Sequence, residues 1–561
     1  MNSKRIAFLL LFLNFALGSK IVSAQTQGLR FEISFLAAAH PDPITGRVFL
    51  LISRDNSKEP RLQITRTAPP IFGRDTVNLA PGQSAIIDES DLGAPVVSLR
   101  DLPPGDYFVQ AVINIYSEFY RADGHVVWMH DDQWEGQEWS KSPGNLISSV
   151  ERVHLDPQAP PAQAIRLVAS DVIPPIVVPR DTEWVQHFKF QSPMLTKFWG
   201  RPVYLGATVL LPKDYARETI SYPVLYEQGH FSLDAPLNFR TEPPTEEELK
   251  DAGTRARGMK RGYELYQAWI TEKFPRMIVV TFQHPNPYFD DSYAVNSPNV
   301  GPYGDAIMQE LIPEIEKRYR VIKEPYARVL AGGSTGGWEA LALQFFHPDF
   351  FGGTWGYCPD PVTFTNVEGI NAYSDTNAFY KQYDWRRAPT INSIETDGRV
   401  RLTSEQRNHF ELVNGTHGRS GEQIDIWSAV FGPLGGDGYF DPLFNKRSGE
   451  INPAVAQYWK DHFDLLEYLK RNWPTLGPKL VDKVHIYVGT MDTYQLNVAV
   501  RELQDWMKTT ENPHYEGFFV YGVGEPHCWM GSVEQSVRVQ EIAAFIASKS
   551  PYVAATPWWK P

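Results

Sequence analysis

Residues 329–343 constrain the fold more than any other stretch, because they join an apolar run, a glycine-rich turn and a strong helix former. The turn reads Gly-Gly-Ser-Thr-Gly at 332–336. This order is typical of a nucleophile elbow, in which a strand, a tight turn and a helix hold a serine in a strained backbone conformation. Glycines flank such a serine because side chains there would strike the strand or the helix. The pattern predicts that Ser334 is a nucleophile, whereas the simpler alternative is a glycine-rich turn with an incidental serine.

A serine hydroxyl needs a base to take its proton, and the base works best when a carboxylate orients it. In elbow folds these partners follow later in the chain, the acid before the histidine. A predicted strand at 484–488 leads to Asp492, and a second at 518–521 leads to His527. We therefore predict a triad of Ser334, Asp492 and His527. Asp360, at the end of the strand after the elbow, is the rival acid.

Two backbone amides are expected to bind the oxyanion that forms when the serine attacks. The first is the amide of Thr335, directly after the nucleophile. Glycine lets the backbone approach a substrate, so the turn that contains Gly229 is the candidate for the second. The sequence leaves the choice between His230 and Phe231 open.

Strands alternate with helices from about residue 185 onward, which predicts an α/β-hydrolase fold with a mostly parallel sheet covered on both faces. The catalytic domain is predicted to span 176–561. One polar, turn-rich interval at about 362–479 interrupts the alternation. Insertions of this length after a sheet strand form a lid or a substrate-binding wall, so we expect a lid-like insertion here.

The N-terminal part shows the alternation of half-buried strands at 29–35, and further apolar runs at 48–52, 62–64 and 107–116. It has no helical period and is punctuated by proline, glycine and aspartate. We expect a β-sandwich-like domain over 25–175, which ends in a proline-rich run at 172–179. Its tryptophans are candidates for stacking on a sugar, although core packing is the commoner use: Trp128, Trp134 and Trp139.

Residues 1–24 have the features of an export signal: a basic pair, an apolar run at 6–17 and small residues before Gln25. We expect a periplasmic or secreted protein that is not inserted in the membrane after cleavage. In an oxidising compartment the two cysteines, Cys358 and Cys528, either pair or remain as buried thiols, and sequence leaves both open.

The net charge of -13 argues against a nucleic-acid or anionic-membrane partner. The histidines lack the spacing of metal ligands, so no metal and no cofactor is expected.

Several motifs beyond residue 185 resemble the esterase family of α/β-hydrolases, which includes enterochelin, feruloyl and acetylxylan esterases, S-formylglutathione hydrolases and mycolyltransferases. The motifs are Val-Leu-Leu-Pro-Lys-Asp-Tyr at 209–215, Tyr-Pro-Val-Leu-Tyr at 222–226, Asp-Ser-Tyr at 291–293, the segment 309–319, the elbow, and His-Pro-Asp-Phe-Phe-Gly-Gly at 347–353. The resemblance implies that Ser334 is the nucleophile, Asp492 the acid and His527 the base. The chain differs from the usual family motif at 228–229, where it has Gln-Gly in place of His-Gly.

These observations predict an exported serine esterase that acts on a small-molecule or glycan-linked ester through an acyl-enzyme. An acyltransferase or a peptidase would use the same triad. The alternative from a different class is a non-catalytic, glycan-binding protein on a hydrolase fold.

Overall fold

The computed structural model describes residues 28–159, 164–250, 254–532, 534–551 and 558–559. The predicted signal peptide at 1–24 lies outside the described residues. Among the described residues, no helix is both long enough and apolar enough to cross a bilayer.

The first ten strands form one hydrogen-bonded sheet in the order β4-β1-β10-β8-β6-β2-β3-β5, with β7 and β9 paired to β6. Their bounds are β1 (Phe31–Phe35), β2 (Ile44–Ser53), β3 (Ile71–Leu79), β4 (Ala85–Ile87), β5 (Gly93–Ala94), β6 (Gly105–Tyr120), β7 (Val126–His130), β8 (Leu146–Ser148), β9 (Glu151–Leu155) and β10 (Ile165–Val172). One face carries a buried core to which nearly all these strands contribute. Strands β3 and β4 also touch although they are far apart in strand order, so the sheet curls around this core.

The strand expected at 62–64 is wrong. The chain forms a 3₁₀ turn at Pro60–Leu62 instead. Ser53 donates to the side chain of Gln63 at 2.7 Å, and the Gln63 amide donates in turn to the carbonyl of Asp55 at 3.0 Å. The backbone amides of Leu62 and Gln63 bond within this turn, to the carbonyls of Glu59 at 2.9 Å and Pro60 at 3.1 Å, so they are not available to a strand ladder.

The remaining strands are β11 (Val185–Gln191), β12 (Tyr204–Leu210), β13 (Val224–Gln228), β14 (Ile278–Gln283), β15 (Asn296–Ser297), β16 (Gly301–Pro302), β17 (Arg328–Gly333), β18 (Gly353–Tyr357), β19 (Tyr380–Gln382), β20 (Arg387–Pro389), β21 (Ile391–Ile394), β22 (Val400–Thr403), β23 (Val484–Gly489) and β24 (Phe518–Gly522). Eight of them form a second sheet in the order β11-β12-β14-β13-β17-β18-β23-β24. Strands from β14 to β24 along this order pair in parallel, whereas β11 and β12 pair antiparallel. The elbow strand β17 is therefore central, with its carboxyl end beside those of β13 and β18.

The α-helices are α1 (Pro193–Trp199), α2 (Glu246–Lys250), α3 (Thr254–Trp269), α4 (Tyr303–Ala306), α5 (Ile312–Arg318), α6 (Thr335–Phe346), α7 (Ser404–Asn414), α8 (Gln423–Phe431), α9 (Pro453–His462), α10 (Leu465–Leu480), α11 (Leu496–Met507) and α12 (Gln535–Lys549). A π-helical stretch at Ile307–Leu311 joins α4 to α5. Helix α6, which directly follows Ser334, is buried along almost its whole length.

The interval 362–479 contains four helices, more than its turn-rich sequence indicates. The last of them, α10, packs against α6, so its residues belong to the helical layer of the second sheet. The first, α7, packs against the outer face of the N-terminal sheet, where Phe410 and Val413 join Phe49, Leu51 and Trp139 in a small core. The insertion therefore bridges the two sheets.

A buried arginine of the N-terminal sheet reinforces this bridge. The guanidinium of Arg47, 3% exposed as a residue, donates to the carbonyls of Val413 at 2.8 Å and Leu412 at 3.1 Å. It also pairs with Asp75 at 2.6 Å, and Asp75 lies 3.1 Å from Arg419 of the insertion. Because a buried charge needs a full set of partners, this contact fixes the two regions in one relative position.

Candidate active site

Ser334 stands between β17 and α6 with φ 58° and ψ -121°. A non-glycine residue rarely adopts this conformation, and strain of this kind clusters at active sites. The flanking glycines are required by space. A Cβ on Gly332 would lie 2.3 Å from the carbonyl oxygen of Gly336, and one on Gly336 would lie 2.1 Å from that of Gln228. Close backbone packing on both sides thus exposes the Ser334 hydroxyl at the carboxyl edge of the sheet.

The three side chains predicted as a triad form one hydrogen-bonded chain. Ser334 Oγ lies 3.0 Å from His527 Nε2, and His527 Nδ1 lies 2.8 Å from Asp492 Oδ2. Asp492 follows β23 and is 1% exposed. Its other oxygen accepts the amides of Tyr494 at 2.9 Å and Leu496 at 3.3 Å. The carboxylate is thereby fixed, and it holds the neutral imidazole with its proton on Nδ1 and its lone pair toward the serine.

Opposing effects act on the imidazole of His527. Burial disfavours its charged form, but negative charge on Cys528 and the hydrogen bond to Asp492 outweigh burial and raise its pKa well above 6.5. While Cys528 is charged, the ring therefore holds its proton more tightly than a free histidine does.

The rival carboxylate, Asp360, lies on the other side of the serine. Its Oδ1 is 3.3 Å from Ser334 Oγ, and no hydrogen bond joins it to His527 within the described residues. Its Oδ2 accepts the hydroxyls of Tyr293 at 2.6 Å and Thr335 at 3.2 Å. Burial raises the pKa of this carboxyl. Asp360 therefore contacts Ser334, whereas Asp492 contacts His527.

Two residues of α8 extend this network, so the insertion reaches the nucleophile. Gln423 Nε2 donates to Asp360 Oδ2 at 3.1 Å and to Thr335 Oγ1 at 3.2 Å, and it also contacts the Tyr293 hydroxyl. Trp427 donates its indole N–H to the same hydroxyl. Sequence reasoning missed both residues, because a polar, aromatic insertion carries no spacing pattern. For Tyr293, the only indication in the sequence was its place in the family motif at 291–293.

The expected oxyanion groups lie around the elbow. Thr335 is the first residue of α6, so its amide has no partner within the helix and points away from the helix start. The turn after β13 lies against the elbow, because a Cβ on Gly336 would come within 2.7 Å of the nitrogen of Gly229. This brings the backbone just before His230 and Phe231 against the elbow, without selecting between their amides.

The side chain of His230 is held by two acids. Its Nδ1 lies 3.0 Å from Asp290 Oδ1 and 3.2 Å from Asp291 Oδ2. Burial lowers its pKa, but the two carboxylates raise it well above 6.5 in total. The side chain of Phe231 packs edge-on against Trp134, with ring centroids 5.2 Å apart. His230 therefore lies half-exposed next to the site, with its ring against two carboxyl groups.

Two groups in the described part of the chain have donor atoms close enough for a metal ion: Cys358 with His527 and Cys528, and His230 with Asp290 and Asp291. In the first group both ring nitrogens of His527 are engaged by Ser334 and Asp492. In the second, Nδ1 of His230 contacts both carboxylates directly.

The three tryptophans considered for sugar stacking are packed into the protein. Trp134 and Trp139 are 7% and 8% exposed. Trp139 stacks on Phe49 with centroids 3.9 Å apart. Trp128 is half-buried, and both its amide and its carbonyl bond to the hydroxyl of Tyr439. The main role of these three rings is therefore packing within the protein.

Comparison with known proteins places part of the chain in context. Residues 204–359 match the model of a family described as "Putative esterase". No curated protein matches. Similar solved structures include a ferulic acid esterase with 16% identity, which covers 64% of this chain and 97% of that one with a TM-score of 0.37. An S-formylglutathione hydrolase from Agrobacterium tumefaciens has 10% identity, covers 66% and 98%, and has a TM-score of 0.31.

A third similar structure is an IroE-like serine hydrolase from Shewanella oneidensis, with 13% identity, coverage of 64% and 78%, and a TM-score of 0.29. The family match confirms the esterase resemblance expected from the sequence and fits an α/β-hydrolase-like fold. It supports a serine carboxylic ester hydrolase.

Proposed function

We propose that this serine carboxylic ester hydrolase is exported and cleaves its substrate through an acyl-enzyme formed on Ser334. The observation that carries the proposal is the chain of hydrogen bonds from Ser334 Oγ to His527 Nε2, at 3.0 Å, and from His527 Nδ1 to Asp492 Oδ2, at 2.8 Å. These distances are within the range over which a base accepts a proton from its nucleophile.

In the first half-reaction, His527 Nε2 takes the hydroxyl proton as Ser334 Oγ attacks the ester carbonyl carbon. The carbonyl oxygen becomes an oxyanion, which the amide of Thr335 and that of His230 or Phe231 would stabilise. The tetrahedral intermediate then collapses. The bond to the leaving oxygen breaks, and the proton on Nε2 passes to the departing alcohol.

In the second half-reaction, water gives a proton to His527 Nε2 and its oxygen attacks the acyl carbon. The second intermediate collapses with return of the proton to Ser334 Oγ, which releases the carboxylic acid. Asp492 stays ionised and stabilises the imidazolium in both steps. If an alcohol replaces water here, the same groups perform acyl transfer.

We assign a small-molecule or glycan-linked ester as the substrate and the periplasm or the extracellular space as the location. The charge of -13 supports a substrate that is not a polyanion. Export rests on the basic and apolar pattern of residues 1–24, and protein recovered outside the cytoplasm is expected to start at Gln25.

A fluorophosphonate probe tests the nucleophile directly. Wild-type protein should be labelled on Ser334. The variant Ser334→Ala should take no label, and its rate of 4-nitrophenyl acetate hydrolysis should fall by about 10⁶-fold. Folded wild type that takes no label would refute the proposal and favour a glycan-binding protein. Addition of a primary alcohol to the assay separates hydrolysis from acyl transfer, since a transferase would yield the new ester.

A further inference from the structure

A pocket of about 410 Å³ lies where the N-terminal sheet, the insertion and the catalytic region meet. One wall is the loop that carries Arg66 and Thr67, before β3. The facing wall comes from the insertion, at Asn392 and Glu422. Tyr494, two residues after Asp492, also lines the pocket.

The pocket adjoins the reacting serine through two short paths. Tyr494 packs edge-on against the ring of His527, with centroids 4.9 Å apart. On the other path, Glu422 directly precedes Gln423, whose Nε2 lies 3.1 Å from Asp360 Oδ2. The pocket therefore lies one side chain away from His527 on the first path, and close to the carboxyl group beside Ser334 on the second.

The charges around the pocket are already paired. Arg66 Nη2 lies 3.3 Å from Glu422, and its Nη1 donates to the Tyr494 hydroxyl at 3.0 Å. Arg401 pairs with Glu395 at 3.1 Å, and Glu138 with Lys141 at 2.7 Å. A charged ligand would have to break one of these pairs. A neutral ligand with many hydroxyls would instead add hydrogen bonds to groups that keep spare donors and acceptors.

The remaining lining also suits hydroxyls. It includes the side chains of Thr65, Thr67, Ser393 and Asn392 above an aromatic floor at Trp139. Asn392 is 3% exposed, its amide group donates to Glu368, and its Oδ1 has no hydrogen-bond partner among the described residues. A buried acceptor without a donor is costly, and a ligand hydroxyl could supply one after a small shift.

We infer that this pocket binds the sugar portion of a glycan-linked ester and that the N-terminal sheet contributes to the active site as its recognition wall. The inference rests on the proposed function, since it assumes that Ser334 attacks the ester. It gives the N-terminal region a role in substrate choice.

Filling the pocket tests this. Thr67→Trp places a large ring at its exposed rim, and Thr475→Trp, at an exposed position on α10 outside the pocket, is the matched control. The probes are acetylated and feruloylated arabinoxylan oligosaccharides, with 4-nitrophenyl acetate as an ester that has no sugar. We expect Thr67→Trp to lower kcat/KM for the oligosaccharides at least tenfold, mainly through KM, and to leave the aryl ester unchanged.

Unchanged kcat/KM for the oligosaccharides in Thr67→Trp would overturn the inference. So would a wild type that hydrolyses the aryl ester but none of the oligosaccharides. In both cases hydrolysis of the aryl ester would show that the proposed function stands. Failure of wild type on every ester, with no probe labelling, would instead refute the proposed function itself.

A separate observation concerns the two cysteines. Cys358, directly after β18, and Cys528, directly after His527, have their sulfur atoms 2.8 Å apart. This is far inside the distance at which unbonded sulfur atoms settle, and only about 0.8 Å above a disulfide bond length. The loop that carries His527 is otherwise exposed at 523–526. We propose that the two cysteines form a disulfide that fastens the catalytic histidine to the central sheet.

The bond would form by exchange with a protein or glutathione disulfide. Cys528, as the thiolate, attacks one sulfur and releases the first partner thiolate. Cys358 then loses its proton and attacks Cys528, which releases the second thiolate. Formation of the new bond oxidises the two cysteines, and the partner disulfide accepts the two electrons.

To test the bond, the protein is treated with oxidised glutathione, denatured and alkylated with N-ethylmaleimide, and its mass is measured. We expect no adduct when the protein is not reduced and two adducts when it is reduced before alkylation. Reduction should also lower the Tm. The variant Cys358→Ala/Cys528→Ala should have a Tm that reductant does not change. Two adducts in the oxidised, unreduced wild type would overturn the proposal.

Discussion

Gln423 of the insertion donates a hydrogen bond of 3.1 Å to Asp360, the carboxyl group that lies 3.3 Å from Ser334 Oγ. A residue far along the chain from the elbow thus completes the surroundings of the nucleophile. Gln423→Ala should lower kcat/KM by about tenfold, because the loss of one bond to a buried carboxyl costs ~1.5 kcal/mol. Steady-state rates with 4-nitrophenyl acetate measure this. Gln457→Ala, an exposed glutamine of α9, is the control and should have wild-type rates.

The two carboxyl groups near the serine should differ in their effect on catalysis. Asp492→Asn is expected to lower kcat by about 10⁴-fold, because an amide would favour the wrong tautomer of His527. Asp360→Asn should lower it by less than about tenfold, since the amide keeps a polar contact to Ser334. The kcat of each variant is the measurement that separates the two roles, and circular dichroism verifies that both variants fold. A larger loss in Asp360→Asn would reverse the assignment of the acid.

The pH dependence should follow the imidazole of His527. Catalysis needs this ring neutral, and its pKa is raised well above 6.5 while Cys528 carries charge. In reduced enzyme, kcat/KM should therefore rise with pH through a midpoint above 6.5. Oxidation or Cys528→Ala removes the negative charge, so the midpoint should move to lower pH. A midpoint that is equal in both redox states would contradict this coupling.

The elbow should not accept a side chain at the glycine that follows Thr335. Gly336→Ala would bring a Cβ to 2.1 Å from the carbonyl oxygen of Gln228, so β13 and α6 would have to separate. We expect a loss of about 1–3 kcal/mol in the free energy of unfolding and loss of probe labelling. Gly436→Ala is the matched control, because nothing lies within 4 Å of its added Cβ. Thermal melts compare the two.

Glu339 of α6 should make stability depend on pH. Both its oxygens are buried without a hydrogen-bond partner in the described part of the chain, and burial raises its pKa well above 4.5. The folded state then binds a proton that the unfolded state has lost, so stability falls as pH rises from 4.5 toward the folded pKa. Glu339→Gln should raise Tm at pH 8 and change it little at pH 4. An unchanged Tm at pH 8 would contradict this.

Sequence reasoning predicted that Ser334, Asp492 and His527 come together because each follows a predicted strand, and the structure joins their side chains by hydrogen bonds. The same reasoning failed at 62–64, where apolar residues were taken for a strand although Pro60 starts a 3₁₀ turn. It also could not locate Gln423 or Tyr494 in the site. Their positions depend on how α8 and the turn after β23 pack across the molecule, and no short pattern records such long-range contacts.

The contact of Arg47 with α7 has a practical consequence for anyone who divides this protein. A fragment that starts at residue 176 would leave the carbonyls of Leu412 and Val413 without their donor and would uncover Phe410. Such a fragment would expose an apolar surface and aggregate during expression. The shortest fragment that folds without aggregating should therefore retain the N-terminal strands.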